Sequence, residues 1–214
     1  MIPLPTVIVL AAGLGSRYAG PGHKLAQPLA EGEASDSALV LTATLQHAIE
    51  SQLPVVVVTT AELAPIAGRL LAARDVVLIP AAAPIRGRGM GDSIAAGVAA
   101  RADAAGWLIL PADMPRVRPE TLQAVARALQ THAVAYAQYQ GRRGHPVGFS
   151  AELYSELIAL TGDEGARRLV ARYPAEAVDV DDPGVLIDID TVEDLAALRA
   201  VGGGSAAPVN FPLL

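Results

Sequence analysis

The chain has 214 residues, of which 52% are hydrophobic and 18% are charged, and its formal net charge is −6. This composition predicts a folded domain with an ample core and excludes a globally disordered chain. The acidic balance argues against sequence-independent nucleic-acid binding, and the absence of cysteine excludes disulfides, thiolate metal sites and a cysteine nucleophile.

No targeting or membrane segment is recognisable in the sequence. The stretch MIPLPTVIVLAAG lacks a basic leader and a cleavage pattern. The longest apolar runs have the length of strands, not of membrane-spanning helices. We therefore expect a soluble cytoplasmic protein with neither nucleic-acid nor membrane partners.

Buried strands alternate with helices along the first half of the chain. Continuous apolar runs predict strands covered on both faces, and helical spacing of apolar residues predicts the helices between them. The predicted strands are 6–10, 54–60, 75–80 and 106–113. The predicted helices are 37–51, 62–74 and 91–104. Pro65 must lie in the first turn of its helix or break it, and the polar stretch 30–37 predicts a surface loop.

The second half continues the alternation. The predicted helices are 118–132, 161–173 and 191–201, and the predicted strands are 133–139 and 184–190. Between two of these elements, QGRRGH at 140–145 predicts a tight turn rich in cations. Thr161 with Glu164, and Thr191 with Asp194, have the spacing of a capping box, which favours helix starts at both places.

Such alternation predicts an α/β fold with a doubly wound, mostly parallel sheet and helices on both faces. We expect a single domain over residues 1–200 and an irregular tail at 201–214. Ligands of these sheets bind at the carboxyl ends of the strands. That rule directs attention to the residues that follow the predicted strands, after Leu10, Leu110, Tyr139 and Ile189.

The first of these places is the glycine-rich loop LAAGLGSRYAGPGHK, residues 10–24. Glycines leave backbone N–H groups accessible to phosphate oxygens, Arg17 can clasp phosphate in a bidentate way, and Lys24 adds a compact charge. A plain turn is the alternative, which the two cations disfavour. The loop matches neither a P-loop, because Leu25 follows the lysine, nor a dinucleotide fingerprint, because Tyr18 replaces the third glycine.

Acidic residues follow two other predicted strands. Asp113 ends the run LILPAD, and Asp188 and Asp190 lie two apart near the end of the chain. Carboxylates of this kind can bind Mg²⁺ that bridges to substrate phosphates, although each could also be an ordinary turn or capping aspartate. With the cationic loop on the same sheet edge, they favour a nucleotide–metal site.

Two further clusters permit both a functional and a structural interpretation. GMGDSIAAG places Ser93 at a helix start, where it could meet a polar ligand, although Asp92 would oppose an anion there. GRRGHPVGF gathers Arg142, Arg143 and His145, which could contact a ligand or lie on an exposed hairpin. His23, His47 and His132 show no partner pattern.

Taken in order, these motifs resemble the MobA-like NTP transferases, and within them the molybdenum cofactor cytidylyltransferases. VLAAGLGSRYAGPGHKL resembles the signature loop of that family, from which it departs by one extra residue between Arg17 and Lys24. The further blocks that resemble the family are GMGDSIAAG, LPADMP, GRRGHPVGF, LTGDEGAR and DIDTVEDL. Together they extend from about Val7 to Leu198.

The resemblance implies a three-layer α/β/α nucleotidyltransferase fold. It also implies Mg²⁺-dependent transfer of CMP from CTP to the phosphate of molybdopterin, with release of pyrophosphate. The implied nucleotide-binding residues are Leu10, Ala11, Ala12, Gly13, Gly15, Ser16, Arg17, Lys24, Ser93 and Gly97. The implied catalytic residues are Arg17, Lys24 and Asp113. The implied metal ligands are Asp113 and Asp190, and the implied acceptor contacts are Arg143, His145 and Asp163.

Alternative functions share parts of this site. The same reaction could use another small acceptor such as a sugar phosphate, and another NTP could replace CTP. A non-catalytic carrier of molybdenum cofactor would need Arg143 and His145 but not Lys24 or Asp113. The resemblance also implies a transient contact with a molybdenum hydroxylase that receives the product, whereas the broken glycine fingerprint disfavours an NAD-dependent oxidoreductase.

Overall fold

The computed structural model describes residues 3–13, 15–30, 38–79, 89–163 and 165–202, although not the side chains of residues 201 and 202. Within them the strands, β1 to β7 in chain order, are Thr6–Ala11, Val55–Thr59, Val76–Leu78, Gly106–Pro111, Val134–Tyr139, Arg142–Ser150 and Ala175–Asp179. The helices, α1 to α7, are Val40–Glu50, Ala64–Ala67, Met90–Ala99, Pro119–Ala128, Tyr154–Ile158, Arg167–Arg172 and Val192–Gly202. Short 3₁₀ turns include Lys24–Ala26 and Pro183–Leu186.

The strands form one mixed sheet in the order β3-β2-β1-β4-β6-β5-β7. Strand β1 pairs in parallel with β2 and β4, and β5 pairs in parallel with β7. Only β6 runs antiparallel to its neighbours, β4 and β5. The carboxyl ends of β1, β4 and β5 therefore meet the amino end of β6 at one edge of the sheet, here called the carboxyl edge. The opposite edge is called the amino edge.

Helices cover both faces of this sheet and create two cores. Val7 and Val9 of β1 face the core formed with α1, α2, α4 and α7, and Ile8 faces the core formed with α3, α5 and α6. All three side chains are fully buried, as expected for a strand covered on both sides. The structure thus confirms the predicted three-layer α/β/α fold with a mostly parallel sheet.

The prediction that Pro65 lies in the first turn of its helix is confirmed. Pro65 and Pro119 lie in the first turns of α2 and α4, where a missing N–H costs little. Helix α2 is only four residues long, far shorter than the predicted 62–74. The predicted tail from residue 203 onward, most of the loop 30–37 and Glu164 of the capping box at Thr161 lie outside the described residues.

In the second half of the chain, one predicted strand is wrong and one observed strand was not predicted. Residues 184–190 do not form a strand, because Pro183 starts a 3₁₀ turn whose Gly184 N–H is capped by the Asp182 side chain at 3.0 Å. The segment then crosses the carboxyl edge, where the Ile189 N–H donates to the Asp113 carbonyl at 3.0 Å. The seventh strand is instead β7, a short and partly exposed segment that the sequence analysis missed.

The cationic turn predicted at 140–145 is mostly strand. Only Gln140 and Gly141 form the turn. Their φ values of 49° and 75° agree with the type I′ turn of a two-residue hairpin, which has positive φ at both positions. Arg142 and Arg143 already pair with Tyr139 and Gln138 in the β5–β6 ladder. The helix predicted at 161–173 is also shorter, since α6 begins only at Arg167.

Candidate active site

The glycine-rich loop leaves β1 at the carboxyl edge. Leu10 and Ala11 end the strand, and Ala12 remains buried while Gly13 is exposed. A Cβ built at Gly13 would lie more than 4 Å from the described residues other than its chain neighbour, so the described part of the chain leaves open space beside the strand end. Gly15 and Gly22 adopt positive φ values of 58° and 71°, which side-chain-bearing residues rarely accept.

The base of this loop is closed by His23, for which the sequence analysis found no partner. Its Nδ1 accepts from the Leu25 N–H at 3.2 Å, so the proton is on Nε2, which donates to the Gly13 carbonyl at 3.2 Å. Leu25 is buried in the core beside α1. Histidine is not among the residues that commonly cap helices, so the local sequence did not indicate this role.

Lys24 lies at the centre of the site. Its Nζ donates to Asp113 Oδ2 at 2.6 Å and to Asp190 Oδ1 at 3.0 Å. Its side chain is only 11% exposed. Burial by itself lowers the pKa of Lys24, but the attraction and hydrogen bonds of Asp113 and Asp190 outweigh it and raise that pKa. The lysine is thus a fixed cation that links two distant segments, despite the extra residue in the loop.

Arg17 completes this charge cluster from the solvent side. Its Nη1 lies 2.6 Å from Asp190 Oδ2, and its side chain is 76% exposed. A pair that is exposed to this extent contributes little to stability, so the guanidinium can exchange this carboxylate for another anion at low cost. Ser16 beside it is also exposed.

The two carboxylates are held by their surroundings. The Asp113 backbone follows β4, where the Thr44 hydroxyl donates to the preceding Ala112 carbonyl at 2.8 Å. Asp190 precedes α7, whose predicted capping box is confirmed: Asp194 Oδ2 accepts from the Thr191 N–H at 2.8 Å, and the Thr191 hydroxyl accepts from the Asp194 N–H at 3.1 Å. Both carboxylates therefore keep fixed positions at the carboxyl edge.

One oxygen of this cluster has no partner. Asp113 Oδ1 is buried and makes no hydrogen bond within the described residues, although buried carboxylate oxygens are normally satisfied. Desolvation and the nearby Asp113 and Asp190 charges raise the pKa of Asp188. Among the residues that the structure describes, no group of three His, Cys, Asp or Glu side chains is arranged to hold a metal. A cation at this edge would need ligands in addition to the side chains of Asp113 and Asp190.

Strand β6 brings basic residues to the same edge because it runs antiparallel. The Arg143 guanidinium lies 4.7 Å from the centre of the Tyr136 ring, a cation–π contact that orients it. Burial lowers the pKa of His145 to about 4, and the Arg143 charge adds to this effect, whereas the Asp113 charge opposes it. His145 is therefore a neutral imidazole near Asp113 at neutral pH.

The remaining predicted site residues belong to α3 and the turn before α6. The Ser93 hydroxyl is buried and donates to the Gly89 carbonyl at 3.3 Å. Gly97 has a packing role, since a Cβ there would lie 2.5 Å from Ile8 Cγ2. Asp163 is exposed in the turn that precedes α6.

The structure thus unites part of the predicted site. It brings Arg17, Lys24, Asp113 and Asp190 into direct contact and places His145 within electrostatic reach of Asp113. Arg143 shares the edge through the β6 strand. Ser93 and Asp163 are linked to one another through neighbouring residues, and not through this charge cluster.

Comparison with known proteins gives both sequence and structural relatives. The purine catabolism protein PucB of Bacillus subtilis is 37% identical over 117 residues, which span 52% of this chain and 57% of PucB. The crystal structure of Rv0371c from Mycobacterium tuberculosis is 27% identical, with a TM-score of 0.73 over 94% of this chain and 99% of that one. Its complex with manganese is 26% identical, with a TM-score of 0.67 over 92% and 99%.

A search against protein families agrees with the order of the sequence motifs. The family described as the MobA-like NTP transferase domain matches residues 7–178, which include the glycine-rich loop, Asp113, Arg143 and His145. Within the described residues no helix has the length and apolar character needed to cross a membrane. The shared fold, the loop at the carboxyl edge and this match together show that the chain belongs to the MobA-like NTP transferase family.

Proposed function

We propose that this protein transfers CMP from CTP to the phosphate of molybdopterin, with release of pyrophosphate. The observation that carries the proposal is the convergence of Lys24 with Asp113 and Asp190 at the end of the glycine-rich loop. This arrangement offers cations for a triphosphate and carboxylates for a metal within one small volume. We place the reaction in the cytoplasm, where nucleoside triphosphates are available.

The carboxylates fit a divalent cation, which we take to be Mg²⁺. Asp113 and Asp190 would hold it, and the unpartnered Asp113 Oδ1 is a carboxylate oxygen of the kind that hard cations accept. Mg²⁺ commonly completes its shell with water and substrate phosphates, which suits a site with few protein ligands. When bound, it would neutralise charge on the phosphates. The manganese complex of Rv0371c supports a divalent ion in this fold.

The chain's own cations would bind the triphosphate. Lys24 is protonated and points three N–H donors into the site, and the exposed Arg17 can form a bidentate pair with phosphate oxygens. Arg17 would exchange its contact with Asp190 for phosphate, whereas Lys24 bonds the two acids with only two of its three donors. The gain for the reaction would come from positioning and charge neutralisation in the transition state.

The chemical step requires no general base. The acceptor phosphate is already ionised at neutral pH, and one of its oxygens would attack the α-phosphorus of CTP. The bond from the α-phosphorus to the bridging oxygen would break in line, and that electron pair would leave with pyrophosphate. Arg143, oriented by Tyr136, would attract the acceptor phosphate, and the neutral His145 would give it a directional hydrogen bond.

The choice of base and acceptor rests on resemblance. The Ala11-Ala12-Gly13 form of the loop resembles the pyrimidine-using branches, and the open space at Gly13 leaves room for a base beside β1. PucB is named for purine catabolism. We infer that the product dinucleotide serves a molybdenum hydroxylase, with which this protein would make transient contact.

The test is a turnover assay with separate substrates. The protein is incubated with molybdenum cofactor, Mg²⁺ and each of the four NTPs in turn, and pyrophosphate release is measured. We expect release with CTP above the other three. Turnover with a sugar phosphate but not with molybdenum cofactor would replace the acceptor. Absence of turnover with every NTP, in a folded protein that still binds molybdenum cofactor, would favour the carrier function.

A further inference from the structure

The first turn of α3 and the turn before α6 are joined although seventy residues of chain separate them. The Gly91 N–H donates to the Gly162 carbonyl at 2.8 Å. A Cβ built at Gly89 would lie 2.1 Å from the Gly162 carbonyl carbon, and one at Gly91 would lie 2.9 Å from the Thr161 carbonyl oxygen. Backbone therefore packs directly on backbone, with no room for a side chain between the two turns.

A single carboxylate fastens this contact. Asp92 Oδ2 accepts from the Gly89 N–H at 3.0 Å and from the Gly162 N–H at 2.9 Å. The first bond satisfies a free donor at the start of α3, where the helix dipole also favours a negative charge. The second reaches across to the other turn, which an ordinary helix cap does not do. Asp92 therefore has a role beyond capping its own helix.

The neighbours of this contact are the two predicted binding residues that stand apart from the Lys24 cluster. Ser93 directly follows Asp92, and its hydroxyl and N–H both bond the Gly89 carbonyl. Asp163 directly follows Gly162, and Gly165 of the same turn, with φ of +56°, lies against the Met90 side chain. The start of α3, which carries Ser93, is thus in direct contact with the turn that carries Asp163.

We propose that Asp92 is a positioning residue that couples the nucleotide side of the site to the acceptor side. Building on the proposed function, nucleotide contact at Ser93 holds the start of α3 in place, and Asp92 transmits this order to the turn that carries Asp163. Asp92 touches neither substrate. This role explains why the residue at the start of α3 is acidic. A residue that only bound the anionic nucleotide would not be expected to carry a negative charge.

The first test needs no ligand. Hydrogen exchange is measured by NMR at the Gly162 amide in the full-length wild type and in Asp92→Ala, Asp92→Asn and Asp75→Asn variants. We expect exchange in Asp92→Ala to be faster by about tenfold or more, because a bond to a charged acceptor is lost. Asp92→Asn keeps an acceptor oxygen and should recover most of the protection. Asp75, which pairs with Arg101 at the amino edge, is the matched control. Unchanged exchange at the Gly162 amide in Asp92→Ala, or an equal change in Asp75→Asn, would show that Asp92 does not hold the two turns together.

The second test measures the coupling with CTP and Mg²⁺ in the absence of acceptor. In the wild type, we expect CTP to slow exchange of the described amides at 161–163 and 165. In Asp92→Ala, CTP should bind within about threefold of the wild-type affinity, since a positioning residue makes no direct contact, but should no longer slow that exchange. Equal slowing in both proteins overturns the coupling. If CTP does not bind the wild type, the proposed function and the coupling fail together. The ligand-free test still decides whether Asp92 holds the start of α3 to the turn before α6.

Discussion

The two edges of the sheet both carry ion pairs, but the pairs differ in kind. At the amino edge, Arg101 pairs with Asp75 and also donates to the Ala100 and Arg74 carbonyls, so its donors are occupied by nearby groups. At the carboxyl edge, Lys24 joins two acids that are 89 and 166 residues away along the chain. There, Asp113 Oδ1 is left without a partner.

This difference separates a structural ion pair from a candidate binding site. The amino edge also has a groove of about 670 Å³, lined in part by Leu53, Leu70 and Arg101. Its size alone suggests a ligand, but Arg101 and Asp75 in its lining already pair with each other. The carboxyl edge combines distant charges, a buried unpaired oxygen and open space at Gly13. Incomplete pairing, more than groove size, points to function.

The largest expected effect comes from removing the central cation. Lys24→Met should lower kcat/KM for pyrophosphate release by about 10³-fold, because the triphosphate loses a fixed donor in the transition state. The matched change at the amino edge, Arg101→Met, should leave turnover within about twofold and cost about 1 kcal/mol of stability. Steady-state kinetics and urea unfolding measure the two quantities. Retained turnover in Lys24→Met would remove the distinction between the edges.

A pH effect of intermediate size is expected from His145. Its folded pKa of about 4 lies below the ordinary 6.5, so between these values the unfolded imidazole binds a proton that the folded one does not. The contribution of neutral His145 to the free energy of unfolding is therefore present above pH 6.5. It is lost as the pH falls toward 4, by up to about 3 kcal/mol.

Urea unfolding from pH 7.5 to pH 4 tests this effect. His145→Gln should flatten the pH dependence relative to wild type. His132→Gln, which changes a histidine just before β5 at the amino edge, should leave it in place. Identical slopes for wild type and His145→Gln would contradict the assignment of a half-buried, neutral imidazole to the carboxyl edge.

The smallest effect compares one substitution at the two edges. A Cβ at Gly106, which starts β4 at the amino edge, would lie 2.6 Å from the Phe149 carbonyl oxygen, so Gly106→Ala should cost about 2 kcal/mol of stability. Gly13→Ala projects into open space and should leave the unfolding midpoint unchanged while weakening CTP binding. Thermal unfolding and calorimetry distinguish them. A loss of stability in Gly13→Ala with unchanged affinity would show that the space is not a binding site.

The sequence predicted the alternation of elements well because each central strand is apolar along its whole length, as in β1 and β2. It failed where tertiary context decides. The apolar letters of 184–190 look like a strand, but Pro183 and the Asp182 cap commit the chain to a 3₁₀ turn. Strand β7 was missed because it is the outermost strand of the sheet. Glu176 and Asp179 are exposed there, and these residues break the apolar pattern.

The residues of the candidate site could be predicted from the sequence, but the contacts between them could not. Strand ends placed Arg17, Lys24 and Asp113 at one edge, which follows from parallel topology alone. The direct pairing of Lys24 with both acids depends on the path of the loop, and in particular on His23 bonding Gly13 and Leu25. The role of Asp92 depends on Gly162, seventy residues away, and no local pattern could reveal it.

The hairpin of β5 and β6 has a consequence for how this site can vary. Its ladder is irregular between the pairs Tyr136–Val147 and Gln138–Arg143, so the tip with Arg142 and Arg143 is set by the Gln140–Gly141 turn and not by the β4–β6 register. Changes of sequence or length at the tip would therefore stay local. Under the proposed function, a changed tip would alter the acceptor contact at Arg143, while the glycine-rich loop that follows β1 would keep its path.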